Sequence, residues 1–238
     1  SSPEWIRESF AGKEYPDTVY VTANPWVSKI AADSFCEIIN LWIENYPISE
    51  ADLQDAIDLS EVDGVDIDDS PTIYADELSD AARKTQERYP NKRLIIHYFQ
   101  PHAPVVGNPD GSRRNEVLRE LNPGGALRNG EVSREEVWEA YLDNLKYVFT
   151  HAEQLADDLE GRSAFSADHG ELFGDRIWPI PMRAYEHPSG LRHPKLTQVP
   201  WAIKEVGPRR TITEGDISHH ESDTEEINTR LEQLGYKV

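Results

Sequence analysis

The most definite chemistry in this chain lies in three adjacent residues, Asp168-His169-Gly170. A carboxylate beside an imidazole can present oxygen and nitrogen ligands to one or two divalent ions. The glycine after them lets the backbone turn without a side chain blocking the site. The same tripeptide can also form a capped turn, in which the aspartate accepts from backbone amides. Other candidates are weaker. His97 reads as a sheet residue, His151 as a helix residue, and His219 and His220 as solvated tail residues. Cys36 is the single cysteine, which excludes an internal disulfide and any multi-cysteine metal site. Its apolar setting, SFCEIINLW, reads as a buried thiol and not a nucleophile. The acidic run DGVDIDD lacks the ligand spacing and terminal glutamate of an EF-hand and reads as a solvated loop.

These residues need elements to position them. Val19–Thr22 reads as a strand closed by Asn24-Pro25, with a second strand over Phe35–Leu41. Ala75–Tyr89 is amphipathic and is stopped by Pro90. Leu94–Phe99 is apolar apart from His97, the pattern of a strand buried on both faces of a parallel sheet. The Gly-, Asn-, Pro- and Arg-rich stretch 107–130 reads as a long loop. Ser133 and Glu136 form a capping box for a long helix, whose apolar stripe is Val137, Tyr141, Leu145, Val148, Ala152, Leu155 and Leu159. SAFSA then makes a short buried strand before Asp168, 176–195 reads as a loop, and VPWAIKEV as a further strand. The alternation predicts an α/β fold with a mostly parallel sheet. Ligands of such sheets sit outside the carboxyl ends of the strands, here near 97–102 and 168–169. We divide the chain into a domain over 1–210 and a polar tail with a short helix, about Thr224–Leu234, over 211–238.

Composition narrows the classes. Hydrophobic residues make up 38% and charged residues 29% of 238, a globular mix with no apolar run near the roughly 20 residues that cross a bilayer. The formal net charge of −20 repels nucleic acid and anionic lipid, which excludes both as partners. Such a surface is stable when salt screens it, so the chain reads as halophilic. SSPEWIRESF lacks the features of a secretory signal, which points to the cytoplasm, or to the envelope or exterior if a further segment precedes it.

The order QPHAPVVG, long amphipathic helix, SADHGELFG, a His-containing loop, VPW and a closing LGY resembles the sulfatase family of the alkaline phosphatase superfamily. The likeness runs from about Val19 to the C-terminus. It implies an alkaline phosphatase-like α/β/α sandwich and a metal-dependent hydrolase or transferase acting on small-molecule or glycan sulfate or phosphate esters. Relatives within the superfamily also include transferases of the cell envelope. The resemblance further implies that Asp168 and His169 ligate a divalent ion, which could be Ca, Mg, Mn or Zn. His102 would lie near the transferred group, and His187 would contact it, with His193 as the runner-up. Both histidines, if protonated, would stabilise charge on the ester oxygens. The family's Asp-rich first strand and its Cys, Ser or Thr nucleophile have no counterpart here. The chain is therefore expected to be N-terminally incomplete, or else a non-catalytic binding domain that has lost the nucleophile.

Overall fold

The computed structural model describes residues 1–41, 73–106, 123–179 and 182–218, together with 227, 228 and 231. In chain order the elements are α1 (Ser2–Ser9), β1 (Tyr15–Thr22), α2 (Trp26–Ala31), β2 (Phe35–Asn40), α3 (Ala75–Arg88) and β3 (Arg93–His97). There follow α4 (Pro123–Asn129), α5 (Arg134–Asp158), β4 (Gly161–Phe165), β5 (Leu172–Ile177), β6 (Met182–Glu186), α6 (Pro194–Thr197) and β7 (Ala202–Val206). This is an α/β arrangement. β1 lies between β2 and β3, and both neighbours run parallel to it.

β1 is the central strand because it can be apolar on both faces. Val19 and Val21 pack with Leu78 of α3, whereas Tyr20, one residue out of phase, packs with Ile6 of α1, Val27 of α2 and Phe35. Helices therefore cover both faces of the three-stranded sheet. Full burial of a Val or Leu side chain stabilises by roughly 1.5–3 kcal/mol, so Val19, Val21 and Leu78 anchor the α3 side. On that same side α5 packs behind α3, where Arg83 bridges to Asp158.

Several expectations need correction. β3 is half-buried, not enclosed on both faces, because it borders β1 alone among the described strands. β4 lies outside the parallel sheet; it pairs antiparallel with β7 and keeps Arg162 and Ala164 exposed. The stretch 176–195 is not a loop, since β5 and β6 form an antiparallel hairpin that spans its first half. Part of 107–130 is helical, as α4. The acidic run DGVDIDD, and His219 and His220, lie outside the described residues. On α5 the capping box is present, with the Ser133 side chain accepting from the Glu136 amide. Leu145 of the expected stripe is 40% exposed, and Asn144 is buried in its place.

Residues 213–218 run along the opposite end of the sheet. The amides of Thr213, Gly215 and Ser218 donate to the carbonyls of Asn91, Pro16 and Cys36. Ile227 and Leu231 are buried, and residues 227, 228 and 231 are helical. Among the described residues no helix is long and apolar enough to cross a membrane.

Candidate metal centre

Two connections deliver polar side chains to the carboxyl end of β3. β3 itself ends at His97, and the turn after it carries His102. The β5–β6 hairpin supplies the other wall. Its register pairs Leu172 with Glu186, so Glu171, just before β5, and His187, just after β6, emerge side by side. Their separation is 3.0 Å between Glu171 Oε2 and His187 Nδ1. Glu186 has a φ of 61°, a left-handed conformation that costs a non-glycine residue about 1–2 kcal/mol, at the point where the strand ends and His187 begins.

The histidines converge. The His169 and His187 rings lie 4.2 Å apart between centroids, and His102 and His187 lie 5.4 Å apart. His169, Glu171 and His187 offer ligand atoms that all lie within 4.8 Å of one another, a group able to hold a metal ion. Asp168 joins through His169. Its Oδ1 accepts from the His169 amide at 2.9 Å, while Oδ2 lies 3.4 Å from His169 Nε2 and 3.8 Å from His97 Nε2. Oδ2 is buried and has no hydrogen-bond donor among the described residues.

Hydrogen bonds define which ring nitrogens carry lone pairs. A carbonyl only accepts, so His169 Nδ1 donates to Gly170 O at 2.9 Å and the neutral ring presents a lone pair at Nε2. The Ser2 hydroxyl lies 3.2 Å from that lone pair. Likewise His102 Nδ1 donates to Ala103 O at 2.7 Å, which puts the lone pair of the neutral ring on Nε2. Asn144 of α5 fastens this turn. Its Nδ2 donates to Pro104 O at 3.2 Å, and its Oδ1 accepts from the Val106 amide at 3.1 Å.

The charge states follow from burial. Desolvation pushes the His102 imidazole down to about 4, with the neighbouring His187 ring acting in the same direction. At neutral pH His102 therefore offers a lone pair, not the cation that its expected role invoked. Desolvation also lowers His169 and His187. It pushes the Glu171 carboxyl up to about 7, and one proton shared with His187 satisfies both groups at their 3.0 Å contact. Asp168 is the exception. Burial disfavours its charge, but the His97 and His169 rings, which become cationic at the acid pH where Asp168 titrates, together with the Ser2 hydroxyl and the His169 amide, outweigh that and hold it below its usual value. The cluster thus contains an ionised carboxylate among neutral imidazoles.

A cavity of about 70 Å³ opens beside His102, Glu171 and His187, walled on its apolar side by Val105, Leu127 and Tyr141. Desolvation, with Glu171 and Asp168 nearby, pushes the Tyr141 phenol up to about 12, so it remains a donor.

Asp168, His169, His102 and His187 thus come together, whereas His193 stands apart, capping α6 by accepting from the Lys195 amide. Sequence reasoning missed Glu171, although it stands inside the same DHGEL run. A carboxylate two residues past His169 was the available signal, but only the hairpin register sets it against His187. Asn144 carried no signal beyond being polar at a helix position that faces inward.

No protein-family model matches the chain, and no curated protein matches it.

Proposed function

We propose that this cluster binds a divalent metal ion and that the chain is a sulfatase-like domain, with an alkaline phosphatase-like sandwich, of a hydrolase or transferase acting on sulfate or phosphate esters. One observation carries the metal reading. Asp168 Oδ2, ionised and without a hydrogen-bond donor among the described residues, faces the lone pair of His169 Nε2 at 3.4 Å. Two acceptors at that distance repel unless a proton or cation lies between them; the Ser2 hydroxyl, 3.2 Å from Nε2, carries one proton and can satisfy only one of the two. Two ligand atoms about 2.1 Å from one tetrahedral ion stand about 3.4 Å apart. His169, Glu171 and His187 form the group whose ligand atoms lie within 4.8 Å of one another, and Asp168 would have to move toward them to complete a set of two carboxylates and two imidazoles. That mixture favours Zn or Mn over Mg or Ca, which prefer oxygen alone.

A bound ion would supply Lewis-acid polarisation of a non-bridging ester oxygen. The rest falls to the protein. Tyr141 offers a hydroxyl proton at the cavity wall. His102 and His187 border the space where an ester would sit, and an arriving dianion would raise their proton affinity, so that they would gain charge as substrate binds. The apolar wall of the cavity excludes water from that side. The ester class rests on the resemblance carried by PHAP, SADHGELFG, VPW and LGY.

The test is metal content by ICP-MS after dialysis against mixed divalent ions, beside Asp168→Ala and His169→Ala variants. Stoichiometric metal that the variants lose is the expected result, and wild-type protein without metal would overturn the proposal. Aryl sulfates and phosphate mono- and diesters then test turnover. A protein that binds metal and anion without turnover would be a binding domain.

A further inference from the structure

Next to the proposed ligands stands a buried pair that the metal reading does not use. Tyr20 is fully buried on β1, in the apolar layer of Phe10, Phe35 and Ile38. The β1–β3 pairing sets Thr22 opposite His97, and Tyr20 reaches His97 Nδ1 with its hydroxyl at 2.8 Å. The Trp5 ring closes over the imidazole edge-on, 5.7 Å between centroids.

Burial sets the direction of the Tyr20–His97 bond. The His97 ring nitrogen is the partner of the Tyr20 hydroxyl among the described residues. If that hydroxyl accepted, its own proton would be stranded in the apolar layer, which buried polar groups avoid. Tyr20 therefore donates, His97 Nδ1 accepts, and the neutral ring carries its proton on Nε2. His97 Nε2 lies 3.8 Å from Asp168 Oδ2, a separation that must shorten before a true hydrogen bond forms.

We infer that Tyr20 and His97 form a positioning relay for Asp168, in which Tyr20 fixes the His97 tautomer and the His97 Nε2–H orients one lone pair of Oδ2, leaving the other for a cation. The inference rests on the metal reading above. It makes His97 a donor to a ligand and not itself a ligand. Groups that orient ligands in this way commonly change metal affinity 10- to 100-fold when removed.

The experiment uses the full chain and Zn²⁺ or Co²⁺ alone as probe. Calorimetric titration of Tyr20→Phe is expected to show metal binding about 10-fold weaker than wild type, while the Co²⁺ absorption bands keep their positions, because the ligand set is unchanged. Tyr15→Phe, which also loses a partly buried hydroxyl, is expected to bind as wild type. His97→Gln, which keeps a donor, is expected to retain more affinity than His97→Leu. Long-range ¹H–¹⁵N spectra of the metal-free protein report the tautomer directly, with the proton expected on Nε2. Wild-type affinity in Tyr20→Phe, or a proton on Nδ1, would overturn the relay alone. A shift of the Co²⁺ bands in His97→Leu would overturn it in favour of direct ligation. Wild-type protein that binds no metal would overturn the metal reading and the relay with it.

Discussion

A Cβ on Gly170 would collide with the backbone carbonyl oxygen of Lys195 at the start of α6, while the Gly170 amide donates to Leu196 O at 3.1 Å. The glycine of the DHG run is therefore needed for close backbone approach, not for keeping the metal side open. Gly170→Ala should lower folding stability by about 1–3 kcal/mol, read from the urea midpoint; an unchanged midpoint would mean that α6 moves freely. The histidines make a second claim at this scale. Burial lowers His97, His102, His169 and His187, so each binds a proton more readily unfolded, near 6.5. Their stabilisation is complete above that value and is lost as pH falls, for His102 down to about 4. The slope is on the order of 1 kcal/mol per pH unit for each proton. Glu171, raised to about 7, acts oppositely, its stabilisation fading as pH rises through 7. His102 and Glu171 oppose each other by similar amounts, and the lowered His97, His169 and His187 tip the balance, so the metal-free protein should lose stability as pH falls from about 6.5 toward about 4. A flat profile of urea midpoints across that window would contradict the buried, neutral histidines.

At the level of elements, α5 does two jobs. Its N-terminus was legible from Ser133 and Glu136, and its inward face from helical spacing. Its buried face nevertheless includes a polar residue, Asn144, because the turn carrying His102 exposes backbone groups that a hydrocarbon side chain would leave unpaired. Asn144→Leu keeps the volume and removes the clamp. It should cost about 1–3 kcal/mol and speed hydrogen exchange at the Val106 amide; unaltered exchange there would show that the turn holds itself. Ser133→Ala should cost about 1 kcal/mol by removing the helix cap, with no effect on metal binding, which separates helix stability from the site. The β5–β6 hairpin was not legible. The stretch 176–195 reads as a loop in the sequence, and the two arms, LFGDRI and MRAYE, lack a clean alternation of apolar and polar residues. Their pairing is a tertiary choice, supported by Leu172 and Ala184 packing on Leu196 of α6.

For the whole molecule the governing quantity is a net charge of −20. Like charges on a compact surface repel over a screening length of about 10 Å at 0.1 M salt and about 3 Å at 1 M. The melting temperature should therefore rise between about 0.1 M and about 1 M KCl. A salt-independent melt would place the acidic residues in compensating local pairs and contradict the halophilic reading. The chain itself determined α3, α5 and the strands β1 to β3, because helical and strand periods, caps and prolines act on residues close in sequence. It also determined that Asp168 and His169 would be neighbours, as they share a peptide bond. Only the tertiary structure decided that Glu171 meets His187 across a hairpin end, that Asn144 grips the His102 turn, and that Tyr20 reaches a histidine 77 residues away. Those contacts depend on strand register and on the direction of each ring's N–H, and such long-range hydrogen bonding leaves no periodic mark in a sequence.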